Sequence, residues 1–217
     1  MSNTNWTNKE VIAPGVVCYS GVLKPELNIV NRLEEVLGNQ TNPYEWRPAL
    51  VGYYESKPEY RDCFDFKPNE DTAKSDTFTN GALSSLWQDC YDYQNVAVQD
   101  YRAHFNVHEL RYWEAMNFIK YYPGQHFNEH VDHGGTYNCT VSLVAYLNDD
   151  YEGGEINFRT WDFTIKPKAG DLLIFPSNYM YPHTALPVKD GVKYSIATML
   201  DYSAKFHRPD IYQETGD

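Results

Sequence analysis

Hydrophobic positions along the chain follow two different rhythms. From Pro25 to Leu37 they recur at helical spacing (Leu27, Val30, Leu33, Leu37), with Pro25 near the first turn and Gly38 just past the end. From Thr79 to about Arg102 the same rhythm returns in Leu83, Leu86, Trp87, Cys90, Tyr93, Ala97 and Tyr101, which predicts a long amphipathic helix. Ahead of these, Val11 to Leu23 reads as a strand broken at Pro14-Gly15. Between the helices, residues 39–78 carry Asn39, Pro43, Pro48, Pro58, Pro68 and Asn69, so the segment reads as loop with short strands around Ala49–Tyr54 and Arg61–Asp65.

From Trp113 the texture changes to short runs of Val, Ile, Tyr and Phe divided by Gly, Pro and Asp. They predict strands at 113–122, 126–131, 137–147, 155–159, 161–166, 171–176, 181–187 and 192–202, with no helix between them. Glu152-Gly-Gly-Glu155 and Pro167-Lys-Ala-Gly-Asp171 are turns, the first permitting positive φ. A run of short strands without helices implies a mostly β fold, a jelly-roll or cupin-like barrel over residues 111–205, supported by the strand and helices of residues 1–110 in one domain.

Composition narrows the function. Acidic residues outnumber basic ones by 30 to 18, a net charge of −12 spread along the chain. Such a surface repels phosphate backbones, so no nucleic-acid partner is expected. No stretch is apolar enough to span a bilayer, and the first residues lack a basic-then-apolar leader, which predicts a cytoplasmic protein with no membrane partner. Cys18, Cys63, Cys90 and Cys139 show neither CxxC nor CxxH spacing, so buried free thiols are expected in place of zinc or disulfides.

Candidate chemistry concentrates in one stretch, Tyr122-Pro-Gly-Gln-His-Phe-Asn-Glu-His-Val-Asp132. His130 and Asp132 stand two apart, and on an extended strand that spacing turns both side chains to one face. His183 lies far downstream, and Lys193 follows on the next predicted strand. Two histidines and one carboxylate form the facial triad that holds non-haem Fe(II) and leaves open positions. A cation beyond the triad suits the far end of a dicarboxylate. Either histidine alone would more simply be an ordinary satisfied or exposed side chain. His126 and His133 fall outside the ligand spacing and read as turn or surface residues.

The ordered set of Tyr122, Gly124, Phe127, His130, Asp132, Tyr146-Leu-Asn, Gly153-Gly154, Pro167, Gly170-Asp171, Pro182-His183, Pro187-Val188, Gly191 and Lys193 resembles the prolyl 4-hydroxylase branch of the 2-oxoglutarate- and Fe(II)-dependent dioxygenases. The resemblance covers about 114 to 202. It implies a double-stranded β-helix with N-terminal supporting helices. It implies iron held by His130, Asp132 and His183 as both metal ligands and catalytic centre, with 2-oxoglutarate and O2 as cosubstrates and ascorbate as a further candidate. Lys193 would bind the remote carboxylate of 2-oxoglutarate, with Ser195 on the same face and the phenols of Tyr122 and Tyr146 as further cosubstrate contacts.

Three departures bear on specificity. Met199 stands where many relatives have tryptophan, Cys139 where oxygen-sensing hydroxylases have arginine, and Ser142 where threonine is common. The resemblance implies hydroxylation of a prolyl residue in a peptide or protein, with succinate and CO2 released. A free amino acid or other small molecule is the alternative substrate, and a non-catalytic cupin-like binding protein the alternative function. An acidic surface and residues 39–78 as a candidate lid suit a flexible or basic polypeptide.

Overall fold

A computed structural model describes residues 4–51, 55–134 and 137–207. The N-terminal part contributes strands β1 (Asn8–Ala13) and β2 (Val16–Ser20), helix α1 (Ile29–Gly38), strands β3 (Arg47–Pro48), β4 (Arg61–Asp62) and β5 (Phe64–Phe66), and helices α2 (Glu70–Lys74) and α3 (Ala82–Phe105). The rest is β6 (Tyr112–Trp113), β7 (Asn117–Tyr121), β8 (His126–His130), β9 (Val141–Tyr146), β10 (Glu152–Gly153), β11 (Ile156–Phe158), β12 (Phe163–Ile165), β13 (Leu172–Pro176), β14 (His183–Ala185), β15 (Val188–Asp190) and β16 (Lys193–Asp201). The expected C-terminal run of strands is there, and among the described residues no α-helix interrupts it.

Two sheets face each other. The larger runs β1-β2-β13-β9-β16-β7-β5-β3, with β6 added to β16, and the smaller runs β12-β11-β14-β8-β4. Every pairing is antiparallel. This is the expected double-stranded β-helix. The N-terminal segment does more than support it: β2 extends the large sheet beyond β13, β5 pairs with β7, and β4 pairs with β8.

Side-chain alternation explains why the large sheet is apolar on both faces. On β13, Leu172 and Ile174 enter the core under the helices, while Leu173 and Phe175 enter the core between the sheets. β9 divides likewise, Leu143 and Ala145 toward the helices and Tyr146 toward the barrel interior. A strand covered on both faces needs a continuous apolar run, as the sequence Leu172-Leu-Ile-Phe175 supplies.

Both predicted helices form, with corrected bounds. The run from Pro25 divides into a 3-10 turn at Pro25–Leu27 and α1, because Asn28 takes a left-handed φ of 47°. The buried face is then Ile29, Leu33, Val36 and Leu37, and it does not include Val30. α3 runs three residues further than expected, and Asn106 ends it in the left-handed conformation with its N–H on the Arg102 carbonyl. Its buried stripe passes through Gln94, whose amide nitrogen donates to the Cys90 carbonyl at 2.9 Å, and Tyr93 stays half-buried. The short helix α2 was not anticipated. Asn69 caps it by accepting from the Thr72 N–H at 2.7 Å. Of the expected strand at Ala49–Tyr54, residues 52–54 lie outside the described residues. Among the described residues no helix is long and apolar enough to cross a membrane, and all four cysteines are free and buried.

The helix layer is held by large apolar side chains, and Leu86 is wholly buried at its centre. Leu86→Ala is expected to cost about 2–5 kcal/mol, the usual range for an emptied leucine site. Urea unfolding followed by circular dichroism would show the midpoint falling with an unchanged slope.

Candidate metal centre

The centre begins where two strands of the small sheet meet. β14 opens at His183 and β8 closes at His130, and these two residues are direct antiparallel partners. Their rings lie 4.3 Å apart between centroids. Asp132 is not on the strand, as the two-residue spacing had implied. β8 ends at His130 because its partner strand begins there, and Asp132 sits in the bend that follows. One residue later, the His133 N–H donates across to the Ser177 carbonyl, after β13 in the large sheet. The chain is changing sheets at this point, and that turn carries the carboxylate back over the histidines.

The result is a compact donor set. Ligand atoms of His130, Asp132 and His183 all lie within 4.8 Å of one another. Asp132 Oδ1 is 3.6 Å from His130 Nε2, and Oδ2 is 3.8 Å from His183 Nε2. The tautomers follow from the neighbours. His130 Nδ1 is 2.8 Å from the Asn128 carbonyl and His183 Nδ1 is 3.1 Å from the Tyr181 carbonyl. A carbonyl only accepts, so each Nδ1 carries the proton and each Nε2 keeps its lone pair for a metal. Burial, then the neighbouring His183, hold His130 down to about 4, against the pull of Asp132, so the imidazole is in its ligating form at neutral pH. Phe127 stacks on His130 at 3.6 Å, and Phe158 and Phe175 flank His183, giving the centre an apolar wall. Two imidazoles and a carboxylate, each oriented by a second hydrogen bond, fit ferrous iron.

Lys193 lies on the interior face of β16, 3% exposed. Its Nζ donates to the Gly154 carbonyl at 2.7 Å and sits 5.2 Å and 5.4 Å from the ring centroids of Tyr121 and Tyr146. Among the described residues no carboxylate comes within salt-bridge distance of it. Burial pushes the ammonium down to about 8, with Glu155 opposing. A buried cation with one carbonyl partner and spare donors is a receptor for an anion. The Gly153-Gly154 turn makes room for it. A Cβ on Gly154 (φ 66°) would come within 3.1 Å of Lys193 Cδ.

Ser195 is buried one pleat along from Lys193 and pairs with Ile119 and Tyr146. Tyr146 points into the interior core, as expected of it. Tyr122 does not join them. It is 41% exposed and stacks edge-on against Phe64. The Lys120 ammonium lies 5.3 Å from its ring, on the opposite side of the sheet. The residue beside Lys193 is Tyr121, its direct partner across β7 and β16. Strand alternation could have found it, because Ile119 and Tyr121 share the interior face while Phe118 faces the helices. His126 and His133 stay off the centre, bonded locally to the Gly124 and Cys139 carbonyls.

Arg61 is a second interior cation that the sequence did not mark. Its guanidinium lies over Phe127 at 5.0 Å, donates to the Leu50 carbonyl at 2.9 Å and pairs with Asp65 at 3.1 Å. These contacts, with the β4–β8 pairing, tie Leu50, Arg61 and Asp65 to the strand that carries His130. Nearby, Ala49 and Cys63 pack with Ile119, Tyr121 and Val188 in one buried cluster.

Fold and donor set together define a double-stranded β-helix with a two-histidine, one-carboxylate cluster and a buried lysine. Residues 116–200 match the family model of the 2OG-Fe(II) oxygenase superfamily. A putative prolyl 4-hydroxylase of Acanthamoeba polyphaga mimivirus is 30% identical over 115 residues, 43% of this chain and 46% of that protein. The chain spans less than half the length of the curated relatives it matches. Among solved structures, a prolyl hydroxylase of Trichoplax adhaerens in complex with a hypoxia inducible factor degradation-domain peptide superposes with a TM-score of 0.69 at 14% identity, covering 86% of this chain and 83% of that one. The viral collagen prolyl hydroxylase of Paramecium Bursaria Chlorella virus-1, in its 2OG complex, gives 0.60 at 18% identity, covering 86% and 95%. Residues 116–200 are thus similar to the 2OG-Fe(II) oxygenase superfamily, and the fold is that of these prolyl hydroxylases.

The depressed Lys193 makes a linkage prediction. Its ordinary value is 10.5 and its folded value about 8. Between those values the unfolded chain binds the extra proton, so apo stability rises with pH across that window, and below about pH 8 the penalty is fully present. Lys193→Met is expected to stabilise the apo protein at pH 7 by on the order of 3 kcal/mol, an advantage that shrinks toward pH 10. Thermal unfolding across pH would show it. Added 2-oxoglutarate should raise the melting temperature of the wild type and not that of the variant.

Proposed function

We propose that the chain hydroxylates a C–H bond of a prolyl residue in a peptide or protein, using Fe(II), 2-oxoglutarate and O2. The observation that carries this reading is one barrel that holds both a two-histidine, one-carboxylate cluster and a buried lysine that, among the described residues, bonds a carbonyl and no carboxylate. Iron with 2-oxoglutarate and O2 supplies the oxidising chemistry, one oxygen atom going to the substrate C–H as the cosubstrate becomes succinate and CO2.

The chain's part is positioning. His130 and His183 present Nε2 to the metal because Asn128 and Tyr181 hold the opposite nitrogens. Asp132 adds one negative charge and leaves other positions open for the cosubstrates. Lys193 receives the remote carboxylate, which converts its burial from a cost into an attraction, and the Ser195 hydroxyl lies on the same face of β16. Tyr121 and Tyr146, buried beside that lysine, stay protonated because burial raises them well above the ordinary phenol value. They wall the pocket as neutral groups and donate without competing for the cation. Phe127, Phe158 and Phe175 keep bulk water from the histidines.

The polypeptide substrate is supported by the prolyl hydroxylase relatives, by the Trichoplax adhaerens enzyme solved in complex with a peptide, and by the chain's own acidic charge of −12. Such a surface favours basic or neutral peptides over acidic ones.

Anaerobically loaded protein, given O2 with and without proline-containing peptides, is expected to form succinate faster with one peptide class. Asp132→Ala should abolish succinate formation with little change in melting temperature, and wild-type turnover from it would refute the ligand assignment. Turnover stimulated only by free amino acids would move the substrate to small molecules. Absence of both succinate and 2-oxoglutarate binding would leave a binding barrel.

A further inference from the structure

Asp132 is held from behind by a chain of hydroxyls. Ser142 Oγ donates to Asp132 Oδ2 at 2.6 Å, and Ser177 Oγ lies 2.7 Å from Ser142 Oγ. Both serines are 1% exposed, so bulk water does not reach these bonds. Proton counting sets the direction. An ionised carboxylate only accepts, so the single Ser142 proton goes to Asp132, and Ser142 must then accept from Ser177.

The scaffold makes this geometry rigid. Ser142 faces the interior on β9, paired with Phe175 of β13, and Ser177 stands two residues beyond Phe175 with its N–H on the Thr140 carbonyl at 3.1 Å. The Ser177 carbonyl accepts the His133 N–H at 3.0 Å, which fixes the residue after Asp132 to the same strand end. Side chain and backbone of the Asp132 bend are thus both tied to the large sheet, while the two histidines belong to the small one.

We propose that Ser142 and Ser177 are positioning residues that hold Asp132 by Oδ2 and so present it to the metal through a single oxygen. The inference rests on the metal reading of His130, Asp132 and His183. The oxygen that accepts a short hydroxyl bond has less lone-pair density for a cation, and Oδ1, 3.6 Å from His130 Nε2, is left as the stronger donor. Ligation by one oxygen keeps a coordination position free that a chelating carboxylate would occupy. Without the relay, Asp132 is free to rotate or chelate, and both the affinity and the symmetry of the centre change. Ser142 thus keeps the hydroxyl of the threonine common at this position, and Ser177 adds the second link.

The test uses Co(II) as the probe, read by its visible d–d absorption and by calorimetric titration. Ser142→Ala is expected to weaken Co(II) binding about 10–100-fold, as loss of an outer-shell partner typically does, and to alter the d–d spectrum. Ser142→Thr should restore both affinity and spectrum, which a merely space-filling role would not explain. Ser177→Ala, one bond further out, should give a smaller loss of affinity with a spectrum shifted the same way. Near-UV circular dichroism checks the fold of each variant, and if Ser142→Ala does not fold, Ser177→Ala decides. An unchanged affinity and spectrum in the folded alanine variants would overturn the relay. A wild type that binds no Co(II) would instead strike the metal reading beneath it.

Discussion

The chemistry of this molecule depends on one register between two strands that are far apart in the chain. β8 and β14 pair so that His183 lies opposite His130, and the ladder stops there. A slip of one residue would turn every side chain of β14 to the other face and take His183 from the chamber. The register is secured by apolar neighbours rather than by the histidines: Phe127 pairs with Ala185 on one side, and Phe158 and Phe175 hold the His183 ring on the other. Packing thereby pays the cost of bringing two imidazoles and a carboxylate together before any cation arrives.

The two sheets divide the labour. The small sheet carries both histidines, and the large sheet carries Lys193, Ser195, Tyr121 and Tyr146 on its interior face. Asp132 belongs to the crossing between them. Its bend is anchored to the large sheet through Ser142 and through His133 to Ser177. Any shift of one sheet against the other would therefore be felt at the carboxylate. That shift is resisted from outside by the helix layer. Lys120 on the back of β7 bonds Glu34 of α1 at 2.8 Å, and Trp46, Tyr122 and Tyr194 surround the ammonium. Burial alone would lower Lys120, but Glu34 and the two phenols outweigh it and raise it. Two lysines on neighbouring strands thus differ, Lys120 matched to a carboxylate of the chain and Lys193, among the described residues, bonded only to a backbone carbonyl.

Much of this was legible in the residues. The change from helical to strand rhythm near Trp113 marked the barrel, and His130, Asp132, His183 and Lys193 stood out because a metal triad and a distant cation are a rare combination of types in one order. Tyr122 was misplaced because pattern alone does not say where a strand's alternation is anchored. The pairing of Tyr121 with Lys193 settles which tyrosine faces inward. Arg61 and Ser177 gave no signal, since an arginine in a loop-rich stretch and a lone serine are common in any chain, and Ser142 was marked only as a replacement for a common threonine, without its link to Asp132.

What the sequence by itself determined is local: which segments are helical or extended, which faces are apolar, and which side chains can bind a metal or an anion. These follow from periodicity and side-chain chemistry, both carried within a few residues. The tertiary structure alone decided the rest: that β8 ends at His130, that Asp132 reaches the centre from a bend, that Ala49 and Cys63 pack against the interior face of β7, and that two serines stand behind the carboxylate. Each depends on where strands distant in the chain begin and end against one another. That is set by the packing of both sheets at once, which no short window of sequence contains.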